Sequence, residues 1–387
     1  MGVDSKRGMP MRATRARLAA AVVAVGTAGS LLVAPGAAFA HSGMTTVAVD
    51  LDNPRGLTFG PDGSLYVAEA GRGGAGPCIT GPEGGTVCFG TSGAITKVSH
   101  GKKWRIVKGL PSIADQATAE TPAGGNAIGP SDVSFRGHDL FFTVGLGADP
   151  AARANLPAAG QRASGWLLRA SYHGVRQVAD IAGFEGRVNP DGVQPPDSNP
   201  QSVLATRDSE LVADAGGNSL VRVSKKGKVS LVATFPEQLV DAPPFLGLPA
   251  GTKIPMQAVP TSVVRGPDGA YYVGTLTGFP FQPGAARVFR VVPGKAPTIY
   301  ADGFTNIIDL AFGPDRKLYV LEIAKNGLLS GDPTGALIRV RHGKPGKEIA
   351  STGLTTPGGL AIRGWSAYVS NCGTCAGTGS IVRIPLH

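Results

Sequence analysis

The side chains of this chain that could do chemistry are oxygen ligands and one guanidinium. Arg55, Asp132, Gln201 with Ser202, and Asp309 stand at matching places in four copies of a repeated segment. A second set, Glu69, Asp214, Glu322 and Asn371, ends another recurring element. Histidine, the usual proton carrier near neutral pH, is scarce. Of six, His100, His173 and His342 occupy the same turn in three repeats, His138 lies in a comparable turn, and His41 and His387 lie at the ends of the exported chain. Neither G-x-S-x-G nor H-E-x-x-H occurs. Serine-triad, His-metal and His-base mechanisms therefore lose their central group, and no catalytic residue is assigned.

These residues are positioned by a hairpin that recurs six times. The first copy is LDNPRGLTFGPDGSLYVAEAG over residues 51–71: a short apolar strand, a Gly-Pro-Asp-Gly turn, and a second strand ending in an acid. Leu57 and Phe59 alternate with Thr58, and Leu65 and Val67 with Tyr66, the period-2 pattern of paired strands. It returns from Gly129, Asn199, Val259, Asn306 and Thr356. After each of the first five hairpins come two more strands around a short turn, as in AITKV, His100-Gly101 and residues 104–107. Four antiparallel strands repeated radially predict an all-β, six-bladed β-propeller. The sixth copy stops after its third strand, SIVRIPLH, and residues 45–50 (TTVAVD) supply the missing one. The N-terminal strand should pair with the last blade and close the ring, making residues 41–387 one domain.

Propeller geometry sorts the loops. First-to-second and third-to-fourth turns share one face and are short here. The opposite face collects the long segments 71–93, 145–165, 276–286 and 323–335, with the connections 111–129, 184–200 and 235–259. Long loops in a compact domain are where function concentrates, so the long-loop mouth of the central channel is the expected site. First strands begin there with Arg55, Ser131, Gln201, Thr261, Ile308 and Gly358. The next positions are Gly56, Asp132, Ser202, Ser262, Asp309 and Gly359, all small except two aspartates in blades that face each other across a six-membered ring. Two readings stand. With Gln201, Ser202 and loop carbonyls, the acids could approach the six to eight oxygens of a calcium site; alternatively, each caps backbone N–H groups of its own loop. Glu69, Asp214, Glu322 and Asn371, at the ends of second strands, stand farther from the axis, where a structural role is expected. Phe245-Leu246 and Phe279-Pro280-Phe281 offer an apolar patch on this face or packing for their own loops.

Residues 1–40 have the form of a secretory signal: Lys6, Arg7, Arg12, Arg15 and Arg17, an apolar run over 18–33, and Ala38-Phe39-Ala40 as cleavage site. An uncleaved membrane anchor is the alternative. Without that segment the net charge of +10 falls to +6, from 32 basic and 26 acidic residues. The basic residues are scattered and not interleaved with aromatics, which argues against nucleic acid as a partner. The expected partner is a small molecule or an extracellular polymer or protein, met by a secreted monomer off the membrane. The four cysteines fit an oxidising compartment as Cys78–Cys88 and Cys372–Cys375 disulfides; zinc bound by four cysteines and a redox-active CGTC are the alternatives.

The blocks NPRGLTFGPDGSLYVAEAGRGG, DSNPQSVLA with VADAGGNSLVRV, PMQAVPTSVVRGPDGAYYVGTLTGFPFQPGAARVFRV, GFTNIIDLAFGPDRKLYVLEIAKNGLLSGDP and VSNCGTCAGTG resemble the exported ScyD/ScyE-like proteins. These are named for the cyanobacterial scytonemin pigment cluster and are also found in actinomycetes. The resemblance spans nearly all of the mature region and implies a six-bladed propeller of the NHL/TolB-like superfamily, with no established activity and no assigned cofactor. That superfamily includes calcium-dependent lactonases related to gluconolactonase, whose metal is held by a Glu and by Asn or Asp at blade starts. The matching positions here, Arg55, Ser131, Gln201, Thr261, Ile308 and Gly358, include no Asn or Asp. The leading expectation is a binding or scaffold protein. The alternative is a divalent-metal-dependent hydrolase or lactonase built on Asp132 and Asp309. A quinone-dependent sugar dehydrogenase is weaker, because its catalytic His has no counterpart on the long-loop face.

Overall fold

The computed structural model describes residues 43–81, 85–116 and 123–386; the signal segment and its cleavage site lie outside these residues. The described chain forms six antiparallel blades arranged in a ring. Blade two is representative, with strands Pro130–Arg136, Asp139–Val144, Trp166–Ser171 and Gly174–Asp180. The sixth blade is completed from the other end of the chain. Strand Thr45–Leu51 lies antiparallel to Gly379–Pro385, with Thr45 opposite Arg383 and Leu51 opposite Gly379.

The turn chemistry shows why the hairpin repeats. In the first blade Asp62 accepts the Ser64 amide at 3.1 Å and the Tyr66 hydroxyl at 3.1 Å, while Gly63 takes a φ of +77°. Asp268 with Tyr272 and Asp315 with Tyr319 repeat the aspartate–tyrosine contact. Each Asp thus closes its own turn and fixes the first residues of the second strand.

The core is divided among the seams between blades. Val133, Leu140 and Phe142 pack on Ile95 and Val107 between blades one and two. Leu211, Val263 and Phe289 do the same between three and four. The seam joining blade six to blade one holds Leu51, Leu57, Val67 and Ile381, all buried. Edge-to-face rings cross the seams as well, with Phe59 against Tyr368 at 5.0 Å and Tyr66 against Phe135 at 4.8 Å. Because Leu51 and Ile381 come from opposite ends of the described chain, the apolar energy of that seam, about 1.5–3 kcal/mol per buried aliphatic side chain, is available only to a closed ring.

Two features depart from the sequence reading. The outer hairpin of blade one is longer than the short strands expected, running as Thr86–Ser99 and Lys102–Asp115, with Cys78–Thr80 added along its upper edge. The connection between blades two and three carries a helix, Ile181–Val188, and a second short helix, Ala158–Ala163, lies within the 145–165 loop. Eight and six residues are too few to stand out as helical periodicity.

Candidate functional site

The second positions of the first strands form a belt that stitches neighbouring blades together. Asp132 Oδ2 accepts the Ser202 hydroxyl at 2.8 Å and the Val203 amide at 2.9 Å, both in the next blade. Ser202 Oγ accepts the Val263 amide at 3.3 Å, and Ser262 Oγ accepts the Leu310 amide at 3.1 Å. Asp309 Oδ1 accepts the Ser262 hydroxyl at 2.6 Å, and its Oδ2 accepts the Leu360 amide at 2.7 Å. Four seams therefore share one device: a belt side chain takes the backbone N–H just past the belt position of the following blade. At the remaining two seams the belt residues are glycines. A Cβ on Gly56 would meet Asp132 Oδ1 at 2.1 Å, and one on Gly359 would meet the Gly56 Cα at 2.7 Å. Glycine there lets the backbones close up where no side chain bridges them.

The belt carboxylates sit in a low-dielectric ring of backbone. Burial pushes Asp132 up to about 7, with repulsion from Asp309 adding to it, while amide and hydroxyl donors pull the other way. Burial pushes Asp309 up to about 6 against the same kind of donors. A raised value is the usual outcome for buried acids that feel a like charge. All four carboxylate oxygens accept hydrogen bonds, Asp132 Oδ1 from the Val133 amide and Asp309 Oδ1 also from the Leu310 amide. Three protein donors thus engage each carboxylate, which is the capping role set beside the calcium reading.

The residues one position nearer the mouth behave differently, because side chains alternate along a strand. The Ser131 hydroxyl bonds to the Gly129 carbonyl, and the Thr261 hydroxyl bonds to the Ile307 carbonyl of the next blade. Arg55 reaches the Ala127 carbonyl at 2.9 Å, its one side-chain hydrogen bond among the described residues. Burial lowers its pKa to about 10, still charged at neutral pH. Among the described residues no carboxylate pairs with it, so the structure does not join Arg55 to Asp132 or Asp309. Gln201 is half-buried and makes no side-chain hydrogen bond there.

The second-strand residues share one task. Glu69 accepts the Asp52 amide at 2.7 Å, Glu322 the Thr305 amide at 2.7 Å, and Asn371 the Thr355 amide at 2.7 Å. Asp214 accepts the Asn199 amide at 2.6 Å and the Ser198 hydroxyl at 2.6 Å. Each holds the chain as it turns into its own blade. Glu69 is further clamped by Arg105 at 2.7 and 2.9 Å and by the Thr96 hydroxyl.

The long segments meet one another around a single rim. Asn126 donates to the Thr374 carbonyl, Ala148 bridges Ser198, Gln238 donates to the Ala285 carbonyl, and Thr334 bridges Thr355. Disulfide Cys78–Cys88 lies within the 71–93 segment and Cys372–Cys375 between strands Ser366–Asn371 and Gly379–Pro385, paired as the sequence predicts. Phe279 lies 6.2 Å from Phe245 and 6.3 Å from Phe281, and Phe245 remains 68% exposed.

One group escaped the sequence reading. Glu185, in helix Ile181–Val188, is buried, and neither of its carboxylate oxygens has a hydrogen-bond partner. Burial, then Asp214, Asp191 and Asp197, push its pKa up to about 8. The D-S-N-P block and the Gly216-Gly217 turn that surround it were visible; the helix that aims Glu185 at them was not.

Among the described residues no group of three or more His, Cys, Asp or Glu side chains could hold a metal ion, and no helix is long and apolar enough to cross a membrane. The architecture is that of a six-bladed β-propeller. No protein-family model matches the chain, and no curated protein matches it. Solved structures do. A Bacteroides thetaiotaomicron protein of unknown function aligns over 89% of this chain and 75% of its own, at 8% identity and a TM-score of 0.50. An aldose sugar dehydrogenase of Streptomyces coelicolor in its PQQ-bound form covers 88% of this chain and 96% of its own, at 12% identity and a TM-score of 0.49. A virginiamycin B lyase of Staphylococcus aureus, solved with quinupristin, covers 89% and 99%, at 11% identity and a TM-score of 0.44. At these identities the likeness is one of fold alone.

Proposed function

We propose that this is an exported, ScyD/ScyE-like propeller that binds a small anionic molecule, or an anionic group of an extracellular polymer, at the long-loop mouth of its channel. The observation behind this reading is Arg55. A half-buried guanidinium with one carbonyl partner and, among the described residues, no carboxylate keeps most of its donors unused. A ligand carboxylate or phosphate takes up those donors in the bidentate geometry arginine favours. A free mature chain in an oxidising compartment accords with the two disulfides. No nucleic acid and no membrane enters this reading, and a monomer suffices for it.

The test is a thermal-shift screen of the mature protein against small carboxylates and their uncharged amide analogues. Stabilisation by carboxylates that is lost in Arg55→Gln supports the proposal. Equal stabilisation by the amides, or an undiminished response in Arg55→Gln, refutes it.

A second reading, a hydrolase or lactonase, draws on a single fact: Asp132 is pushed to about 7, where a general acid or base works best. Against it, the carboxylate oxygens are already engaged by the belt.

A further inference from the structure

Away from the belt, the connection between blades two and three encloses a buried carboxyl group with no hydrogen-bond donor among the described residues. Glu185 leaves 1% of its surface exposed, and both Oε atoms lack any donor. Its Oε2 lies where a Cβ on Gly217 would approach to 2.4 Å, so the glycine of that turn is what makes room for it. The adjacent Gly216 packs on the Asp197 backbone, with 2.8 Å from its ideal Cβ to the Asp197 carbonyl carbon. Asp197 Oδ1 is also buried without a donor, as is Oδ1 of Asn189, the left-handed residue that ends the Glu185 helix. Asp191 and Asp214 complete the surroundings. Asp191 is held by the Asn218 amide at 2.8 Å, and Asp214 by the Ser198 hydroxyl and the Asn199 amide. Among the described residues no lysine or arginine forms an ion pair with any of these four acids.

We propose that this pocket binds a divalent cation, calcium by its all-oxygen lining, with Glu185 as an anchoring ligand beside Asp197 and the Asn189 amide oxygen. Buried carboxylate and amide oxygens with no protein donor are free to coordinate a cation, whereas the belt aspartates have a donor on every oxygen. A hard cation accepts carboxylate, amide and backbone oxygens alike, and waters fill its remaining positions. Because no three acids converge as ligands among the described residues, the shell holds two acidic ligands, Glu185 and Asp197, and completes itself with neutral oxygens. Neutralisation of the acids is the consequence: the cation would tie helix Ile181–Val188, the 191–197 segment and the Gly216-Gly217 turn into one unit. The rise in the Glu185 pKa reflects the same uncompensated charge.

Chelator-treated mature protein is unfolded thermally with and without CaCl2 at about 10 mM, a concentration that saturates weak extracellular calcium modules. The expected result is a rise in Tm of about 2 °C or more in the wild type that is absent in Glu185→Gln. Should Glu185→Gln fail to fold, Asp197→Asn carries the same comparison. Three outcomes overturn the proposal: no calcium response in the wild type, an equal response in the variant, or a response abolished instead by Asp132→Asn. In the first case the Glu185 carboxyl is neutralised by a proton. In the last, the ion belongs to the channel.

Discussion

Ser202 donates its hydroxyl to the Asp132 carboxylate at 2.8 Å across the seam between the second and third blades. Ser262 and Asp309 repeat that relationship between blades four and five. The two carboxylates near the channel are thus fastened to the ring before any ligand arrives, and what they do on titration is felt by the whole fold.

That coupling fixes a pH dependence. Asp132 and Asp309 have folded pKa values of about 7 and about 6, above the 3.8 expected of a free side chain. A raised acid binds its proton more tightly when folded, so its stabilising contribution is complete below the unfolded pKa. It is lost as pH climbs through the folded value. Chemical denaturation should therefore show the contribution of this pair declining from pH 4 to about 7. Asp132→Asn should flatten that part of the profile; an unchanged slope would mean the pair is not the titrating unit.

The seam between the chain ends should respond to single side-chain deletions as a core does. Leu51 is 1% exposed and Ile381 is fully buried, each from one end of the chain. Truncating Leu51 to alanine is expected to cost about 2–5 kcal/mol in urea denaturation. A loss below about 0.5 kcal/mol, the range of exposed surface positions, would show that strand Thr45–Leu51 is dispensable to the ring.

How much of this was legible in the chain itself follows from its repetition. The Asp62–Tyr66 turn recurs at Asp268–Tyr272 and Asp315–Tyr319, so the same local chemistry announces a blade each time. Asp132 and Asp309 stood out because they interrupt a run of small residues, but the sequence offered them as calcium ligands or as caps of their own loops, not as links to the following blade. What could not be read was direction. Arg55 precedes a belt position by one residue, and its side chain goes to the Ala127 carbonyl instead of pairing with either aspartate. Glu185 was hidden for another reason. One short helix between two blades carries no repeat signature, and its meaning depends on a glycine turn some thirty residues further along.

Arg105 supplies a sharper structural test. It bridges Asp52 at 2.8 Å and Glu69 at 2.7 Å, two acids with almost no exposed side-chain surface. Arg105→Ala leaves Glu69 without a cation, while Asp52 keeps Arg72 at 2.6 Å, and losing the charged hydrogen bonds to Glu69 is expected to cost about 1.5–3 kcal/mol. Arg105→Lys should recover only part of this, because an ammonium cannot reproduce the fork. Equal stability of all three proteins would contradict the role assigned to Glu69.

The binding reading also forecasts inactivity. Esters and lactones incubated with the mature protein, with and without calcium, should turn over no faster than with the Asp132→Asn, Asp309→Asn double variant. Turnover present in the wild type and lost in the double variant would replace the binding reading with the hydrolase reading.

The most direct measurement is calorimetric titration of wild-type and Arg55→Gln protein with the best-stabilising carboxylate from the thermal screen. A charged hydrogen-bonded pair is worth about 1.5–3 kcal/mol, so the dissociation constant should rise roughly ten- to hundredfold in the variant. Identical constants for the two proteins would contradict the account.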